Sequence, residues 1–257
     1  QEALQKEVAG IALDSRKIEK DWLFMATKGE RVDGHSFIPQ VIENGAAAVI
    51  SEKELTDANF PYILVEDSFI ALKKIATFYR EQLDVKVVGI TGSVGKTSTK
   101  EMIASVLKEK FNVHKTAGNF NNEIGMPRTL FRLEETTKNA VIEMGMDGFG
   151  QISALTNCAK PDCAIITNIG VSHIEILGSR DGILQAKLEI LDGMEENAPL
   201  ILNADDDLLD AFCDETRPLV FFGIDNPCCD VRAINIQEKG ESTRFEILYG
   251  KDTGVLF

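Results

Sequence analysis

The sequence has no long apolar run and little of what marks specialised classes of protein. No stretch of about 18 consecutive apolar residues occurs, so the sequence predicts no membrane-spanning helix. The opening residues, "QEALQKEVAG", lack the basic segment and apolar core of a signal peptide. Five cysteines form no CxxC pair, and their odd number argues against a disulfide framework. These absences favour a cytoplasmic protein with reduced thiols.

Positive charge is also scarce. The chain of 257 residues carries 27 lysines and arginines against 41 aspartates and glutamates, a formal net charge of -14. A general nucleic-acid surface needs a basic footprint, so we expect no nucleic acid partner. Anionic small ligands remain compatible with this charge, because a lysine, a helix N-terminus or Mg2+ supplies a local positive field.

The pattern of strands and helices changes after residue 83. Residues 1–83 alternate short strand-like segments with helical ones, and Ser68 is the expected N-cap of the last helix. In residues 84–257, apolar strands such as "VKVVGIT" alternate with helices, and a β-hairpin surrounds "EKGES". The sequence therefore predicts an α/β protein with two domains. A small α/β domain precedes a doubly wound, mostly parallel sheet, whose ligands bind at the carboxyl ends of the strands.

The stretch "GITGSVGKTSTKE", residues 89–101, resembles a phosphate-binding loop with one irregularity. The usual pattern places a glycine at position 90, where this sequence has Ile90. The order of strand, glycine loop, Lys-Thr and helix still favours phosphate binding over a ligand-free turn. Gly92 and Gly95 permit close approach of phosphate to the backbone, Lys96 would neutralise phosphate charge, and Thr97 would ligate Mg2+.

Three other residues have a functional and a structural interpretation each. Glu143 lies at the end of an apolar strand, at the same edge of the sheet, where it is either a Mg2+ ligand or a solvated charge. His173 lies at the end of another strand, where it is either a metal ligand or a structural hydrogen-bonding group. Lys187 lies among apolar helix residues, where it either extends to water or becomes a neutral, reactive amine. The residues alone leave these alternatives open.

Several segments together resemble the Mur ligase family, the ATP-dependent amide-forming enzymes of peptidoglycan precursor synthesis. The family's phosphate loop is shorter and matches residues 92–97, which accounts for Ile90. The segment "DSRKIEKDWLFMATKGERVDGHSF" resembles the family's uridine-binding N-terminal domain. The branch that adds D-alanyl-D-alanine is matched by "GNFNNEIGMP" at 118–127, "VIEMGM" at 141–146, "TNIGVSHIEILGS" at 167–179 and "AKLEIL" at 186–191.

The resemblance implies roles for individual residues. Two Mg2+ ions would be held, one by Thr97 and Glu143 and the other by His173 and Lys187. Lys187 matches a family lysine that CO2 carbamylates, and catalytic roles would fall on Lys96, Lys187, His173 and Asn119. The remaining matches assign ATP binding to Gly92, Ser93, Val94, Gly95, Lys96, Thr97, Ser98 and Asn203, and substrate binding to Asp14, Ser15, Arg16, Gly29, Glu30, Arg31, Asn121 and Asn122.

The resemblance also implies a reaction and its partners. The carboxylate of UDP-N-acetylmuramoyl-tripeptide would attack the γ-phosphate of ATP, and the amine of D-alanyl-D-alanine would then attack the resulting acyl phosphate. Residues 1–83 would bind the uridine nucleotide, and residues 84–257 would form an incomplete ATP-binding central domain of a monomer. Because family members continue further in both directions and add a C-terminal domain, we expect this chain to be a fragment that is inactive alone.

Three other functions fit part of this pattern. A ligase of the branch that adds the third amino acid of the peptide would share most of the motifs, although "GNFNNEIG" favours the D-alanyl-D-alanine branch. A folylpolyglutamate synthase-like ligase would share the ATP chemistry but lack the uridine domain. A nucleotide-binding module without ligase activity would use the loop and have no need of Lys187.

Overall fold

The computed structural model describes residues 7–29, 32–56, 58–240, 242–250 and, for the backbone alone, 252–256. The chain divides into two compact units, Gln1–Tyr79 and Arg80–Phe257. This boundary lies a few residues before the one expected after residue 83, and the assignment of the units to uridine-nucleotide and ATP binding stays a prediction. In the described part of the chain, no helix is long and apolar enough to cross a membrane.

The first unit is built on a four-stranded parallel sheet. Phe24, Val41 and Val49 are fully buried in its core, where each such side chain stabilises the fold by roughly 1.5–3 kcal/mol. Its elements are β1 Ile11–Ala12, a 3-10 helix Ser15–Lys17, β2 Leu23–Met25, a 3-10 helix Gly34–Phe37, α1 Ile38–Glu43, β3 Ala48–Ser51, β4 Tyr62–Leu64 and α2 Ser68–Glu81, which ends in the second unit. The strands lie in the order β1-β2-β3-β4.

The N-cap expected at Ser68 is wrong by one residue. Ser68 is the first residue of α2, and the carboxylate of Asp67 accepts the N–H of Ile70 at 2.8 Å. The hydroxyl of Ser68 instead donates to Glu52 Oε1 at 2.5 Å. Aspartate and serine are both good caps, and here the partly buried carboxylate of Glu52 accepts the serine hydroxyl, so the aspartate caps the helix.

The second unit contains one large sheet with helices between its strands. Its elements are β5 Lys86–Thr91, α3 Lys96–Lys108, β6 Val113–Lys115, α4 Gly125–Leu130, β7 Asn139–Glu143, α5 Gln151–Ala159, β8 Cys163–Ile166, α6 Ile174–Leu177, α7 Arg180–Leu188, a 3-10 helix Glu189–Gly193, β9 Leu200–Asn203, α8 Asp207–Asp210, β10 Leu219–Gly223, β11 Val231–Lys239, β12 Ser242–Tyr249 and β13 Asp252–Leu256. The strand order is β13-β12-β11-β10-β9-β8-β5-β7-β6.

The seven strands β5 to β11 pair with one another in parallel, whereas β12 and β13 are antiparallel to their neighbours. The predicted α/β class is therefore confirmed. Strand β5 lies between β7 and β8, so later strands of the sheet are added on both sides of it. This is the switch point of a doubly wound sheet, and it opens a crevice at the carboxyl end of β5.

Helix α3 is fixed to the sheet on the side of that crevice. Its Ala104 packs against Ile90 of β5 and Val141 of β7 in a cluster of buried residues. Strands β5 and β7 are in register at Ile90 and Glu143, so β7 ends beside the start of the glycine loop. The packing of α3 therefore determines where its first turn lies relative to Glu143.

Candidate functional site

The loop from Gly92 to Gly95 connects β5 to α3 and depends on both glycines. Gly92 has φ 151°, and a Cβ atom there would clash with the hydroxyl of Thr167. Gly95 has φ 81° and directly precedes the helix. These left-handed conformations favour glycine, and they bring the loop to the N-terminus of a helix of 13 residues, whose first-turn N–H groups have no acceptor within the helix. The local geometry is that of an anion site.

The segment after β8 holds this loop in place. The N–H of Ser93 donates to Asn168 O at 3.1 Å, and the N–H of Val94 donates to Asn168 Oδ1 at 3.0 Å. Thr167 donates its hydroxyl to Val94 O at 2.6 Å, and Gly170 N–H donates to Ser93 Oγ at 2.9 Å. Sequence reasoning missed Thr167 and Asn168, although both lie in the quoted segment "TNIGVSHIEILGS".

Lys96 is the first residue of α3, and its side chain contacts carbonyl oxygens of the loop. Its ammonium donates to Gly92 O at 2.8 Å and to Ser93 O at 3.4 Å. Burial lowers the pKa of Lys96, and the charge of Glu143 partly offsets this effect. A phosphate group entering the loop would offer Lys96 a charged acceptor in place of two neutral ones.

Glu143 is a buried carboxylate that contacts three polar side chains. The hydroxyl of Thr97 donates to Glu143 Oε2 at 3.1 Å, and Asn121 Nδ2 donates to Oε1 at 2.9 Å. The ammonium of Lys100 lies 3.4 Å from Oε2, and the side chains of Lys100 and Glu143 are 2% and 3% exposed. The alternative of a solvated strand-end charge for Glu143 is therefore wrong, because the β7 and α3 packing encloses the carboxylate.

Lys100 was not identified from the sequence. Its ammonium also lies 3.5 Å from Glu101 Oε1, and Glu101 in turn pairs with Lys115. Lys100 follows Thr97 by three residues, which places both on one face of α3. The helical spacing was visible in "KTSTKE", but the burial of that face depends on how α3 packs.

Lys187 lies on α7 and is buried, with 3% of the residue exposed. Burial lowers its pKa from the ordinary 10.5 to about 7, and the positive charge of Lys96 adds to the effect. The alternative in which Lys187 extends to water is therefore wrong. Near neutral pH a large share of this amine is uncharged, which is the form that attacks CO2.

The structure does not bring His173 into a metal cluster. His173 has φ 63°, precedes α6, and lies with Nδ1 3.7 Å from Asp147 Oδ1. In the described ranges, no group of three or more histidine, cysteine, aspartate or glutamate side chains is placed to hold a metal ion. A carbamylated Lys187 and a Thr97 hydroxyl fall outside that set of residue types, so the metal roles stay predictions.

The asparagines of the site have differing surroundings. Asn119 is exposed in a turn before α4, whereas Asn122 Oδ1 accepts the N–H groups of Ile124 and Gly125 at 3.2 and 2.8 Å and so stabilises the turn that leads into α4. Asn203 ends β9, where its Nδ2 donates to Thr167 O at 3.0 Å. Asn122 and Asn203 thus have structural roles in addition to the binding roles predicted for them, and Ser98 lies in the first turn of α3.

The first unit has a separate cleft of about 520 Å³. Arg16 donates through Nε and Nη2 to the two oxygens of Asp14 at 2.9 and 2.8 Å, and this lowers the pKa of Asp14 to about 2. Glu30 and Arg31, which were predicted beside these residues, lie outside the described residues. The lining of the cleft contains four predicted substrate-binding residues, Asp14, Ser15, Arg16 and Gly29, together with Leu13, Thr27, Val32, Gly34, Phe37 and Gln40.

Two family descriptions match almost the whole chain. Residues 90–255 match the Mur ligase middle domain, and residues 7–90 match the Mur ligase family catalytic domain. The chain belongs to the Mur ligase family. The family predicted from the loop and the neighbouring motifs is therefore confirmed.

Within the Mur ligases, the chain is similar to curated members of the branch that adds D-alanyl-D-alanine. The chain is 45% identical over 246 residues to the UDP-N-acetylmuramoyl-tripeptide–D-alanyl-D-alanine ligase of Bacillus subtilis strain 168. That match covers 95% of this chain and 53% of the relative. The chain thus spans about half the length of the curated relatives it matches.

Solved structures of this Mur ligase branch share the fold. A crystal structure of MurF from Acinetobacter baumannii superposes with a TM-score of 0.89 at 34% identity, covering 98% of this chain and 55% of that one. MurF from Thermotoga maritima, solved in complex with ADP, has a TM-score of 0.88 at 33% identity and covers 100% of this chain and 58% of that one. The second comparison shows that a related ligase of this fold binds an adenine nucleotide.

Proposed function

We propose that the protein containing this chain is an ATP-dependent ligase that adds D-alanyl-D-alanine to UDP-N-acetylmuramoyl-tripeptide. The observation that carries the proposal is the meeting of the glycine loop, Lys96 and the buried Glu143 at one edge of the sheet. The similarity over 95% of the chain to a ligase with that name supports the choice of substrates.

The ATP phosphates would bind at the glycine loop. Backbone N–H groups of the first turn of α3 and the ammonium of Lys96 supply the positive field, which the net charge of -14 does not provide elsewhere. Asn203 would lie toward the adenine, and Ser93, Val94 and Ser98 would contact the phosphates. In-line phosphoryl transfer depends mainly on such positioning and charge stabilisation.

The donor set near the loop fits a magnesium ion. The Glu143 carboxylate and the Thr97 hydroxyl both offer oxygen ligands, and they already contact each other. Mg2+ prefers oxygen ligands. These two residues would hold one ion, and His173 with a carbamylated Lys187 would hold a second. Bound magnesium would neutralise charge on the transferring phosphoryl group. The low pKa of Lys187 supports its carbamylation.

The carboxylate of the acceptor would react in the second unit. In the proposed reaction, the terminal carboxylate of the tripeptide attacks the γ-phosphorus, which forms an acyl phosphate and releases ADP. The amine of D-alanyl-D-alanine then attacks the carbonyl carbon, and phosphate leaves as the amide forms and the amine loses a proton. Asn119, Asn121 and Asn122 would position the acceptor carboxylate, and the first-unit cleft would bind the uridine nucleotide. The proposal includes a monomer in the cytoplasm.

An assay of the whole protein tests this function. Phosphate release from ATP should require both UDP-N-acetylmuramoyl-tripeptide and D-alanyl-D-alanine, and single amino acids should not replace the dipeptide. Turnover with a single amino acid and the muramoyl-dipeptide would instead support the branch that adds the third residue.

A variant of Lys187 tests the second part of the site. Lys187→Ala should lower ligation by at least about a hundredfold, because a ligand to the proposed second ion is lost. The control Lys108→Ala removes a lysine from the exposed end of α3 and should leave turnover unchanged. Undiminished ligation by Lys187→Ala would contradict the proposed second metal site.

A further inference from the structure

Lys100 has no place in the reaction proposed above, yet it contacts the carboxylate proposed to bind magnesium. Its ammonium lies 3.4 Å from Glu143 Oε2, the oxygen that also accepts the Thr97 hydroxyl. The other oxygen, Oε1, accepts from Asn121. Both oxygens of Glu143 are thus engaged by the protein's own donors.

The ammonium of Lys100 is enclosed where α3 packs against the sheet. The Lys100 side chain is 2% exposed, and the helix position that carries it is one turn before the buried Ala104. Buried ammonium groups are found paired, because desolvation of an unpaired charge is costly. Lys100 therefore stays beside Glu143 as a permanent counter-cation in the ligand-free protein.

A divalent ion at Glu143 would meet the positive charge of Lys100 as well as the negative charge of the carboxylate. The pairs Lys115–Glu101 and Lys100–Glu143 leave the four-residue cluster with no net charge. A divalent ion without nucleotide gains little from such a site. The ammonium of Lys100 repels an ion bound to the carboxylate beside it, and this repulsion is strong where water is excluded. An ion that arrives with nucleotide phosphates brings its own compensating negative charge.

We propose that Lys100 is a positioning residue that pairs with Glu143 in the ligand-free protein and prevents divalent ions from binding there unless a nucleotide is bound with them. This inference rests on the proposed function, since it takes Glu143 as a metal ligand. Under this proposal, Lys100 makes metal binding depend on the nucleotide, so that the two ligands bind together.

The test measures Mn2+ binding to the 257-residue chain by electron paramagnetic resonance, with and without ADP. The wild-type chain should bind Mn2+ weakly alone and more tightly with ADP. Lys100→Met keeps the side-chain volume and removes the charge, so it should bind Mn2+ without ADP about tenfold more tightly than the wild type. Lys108→Met removes the same charge about 12 Å further along α3 and should behave as the wild type.

Two results would overturn the inference, and they are distinguishable from failure of the proposed function. Unchanged Mn2+ affinity of Lys100→Met without ADP, in a chain that still binds Mn2+ with ADP, contradicts the role of Lys100 alone. Absence of Mn2+ binding with ADP in both chains contradicts the nucleotide and metal site, and the inference falls with it.

A crystal structure of the wild-type chain with Mn2+ and ADP provides the measurement if Lys100→Met does not fold. We expect the ion pair between Lys100 Nζ and Glu143 Oε2 to be broken when manganese is bound. Manganese on Glu143 with that ion pair still formed would overturn the inference.

Discussion

Glu143 shows what the sequence can and cannot establish about a single residue. Its position at the end of an apolar strand predicted that it would lie near the glycine loop, and the register of β5 with β7 places it there. Its burial and its pairing with Lys100 could not be predicted, because both depend on α3 packing against β7. Asn122 was likewise assigned to substrate from a motif, while its hydrogen bond to the N–H of Gly125, the first residue of α4, depends on the local backbone geometry.

Replacing Glu143 should destabilise the second unit markedly. Glu143→Gln leaves the buried Lys100 ammonium without its buried partner, and loss of one member of such a pair costs about 3 kcal/mol or more. The matched variant Glu101→Gln, at a carboxylate that is 47% exposed, should cost less than about 1 kcal/mol. Urea unfolding followed by circular dichroism compares the two, and equal losses would contradict the burial of the charge pair.

The depressed pKa of Lys187 makes stability depend on pH. The folded pKa is about 7 and the ordinary value is 10.5, so below pH 7 folding carries the full cost of burying the ammonium. Between pH 7 and 10.5 the unfolded chain binds more protons than the folded one, so this cost shrinks as pH rises.

Lys187→Met should therefore be more stable than the wild type at pH 6.5, by about 3 kcal/mol, and the difference should narrow by pH 9.5. Urea midpoints in buffer free of bicarbonate measure this, since carbamylation would change the charge. A stability difference that is the same at both pH values would show that the amine is not desolvated.

At the scale of elements, the short strands β1 to β4 were predicted from the sequence, whereas the short strand β6 and the edge strand β13 were not. The pattern of the hairpin β11–β12 and of helix α3 is strong because many residues repeat it. Strand β6 has three residues, and β13 pairs only through β12, so tertiary pairing defines them more than their own pattern does. Both were missed.

The glycine loop gives a test at this scale. Gly92→Ala places a Cβ atom against Thr167, in the segment that holds the loop, and should cost more than about 2 kcal/mol. Gly95→Ala meets no atom within 4 Å and should cost only about 1 kcal/mol through its positive φ. Thermal unfolding ranks the two variants, and an equal or reversed order would contradict the close contact of Gly92 with Thr167.

At the scale of the whole molecule, each unit has its own cleft, and the two should bind different nucleotides. Arg16 lines the first-unit cleft, and Arg16→Ala should weaken UDP binding to the chain about tenfold, because a charged donor near the diphosphate is lost. Lys17→Ala, which removes the adjacent charge, should change it little. Isothermal titration with UDP and with ADP separates the sites, and loss of ADP binding in Arg16→Ala would contradict their independence.

The central claim is the proposal that this chain supplies the nucleotide and acceptor sites of a ligase that adds D-alanyl-D-alanine to UDP-N-acetylmuramoyl-tripeptide. The most direct measurement is product formation by the whole protein from ATP, UDP-N-acetylmuramoyl-tripeptide and D-alanyl-D-alanine, followed by mass spectrometry. The account predicts one UDP-N-acetylmuramoyl-pentapeptide and one ADP for each ATP consumed, and none with Lys96→Ala. ATP hydrolysis without pentapeptide, or pentapeptide from Lys96→Ala at the wild-type rate, would contradict it.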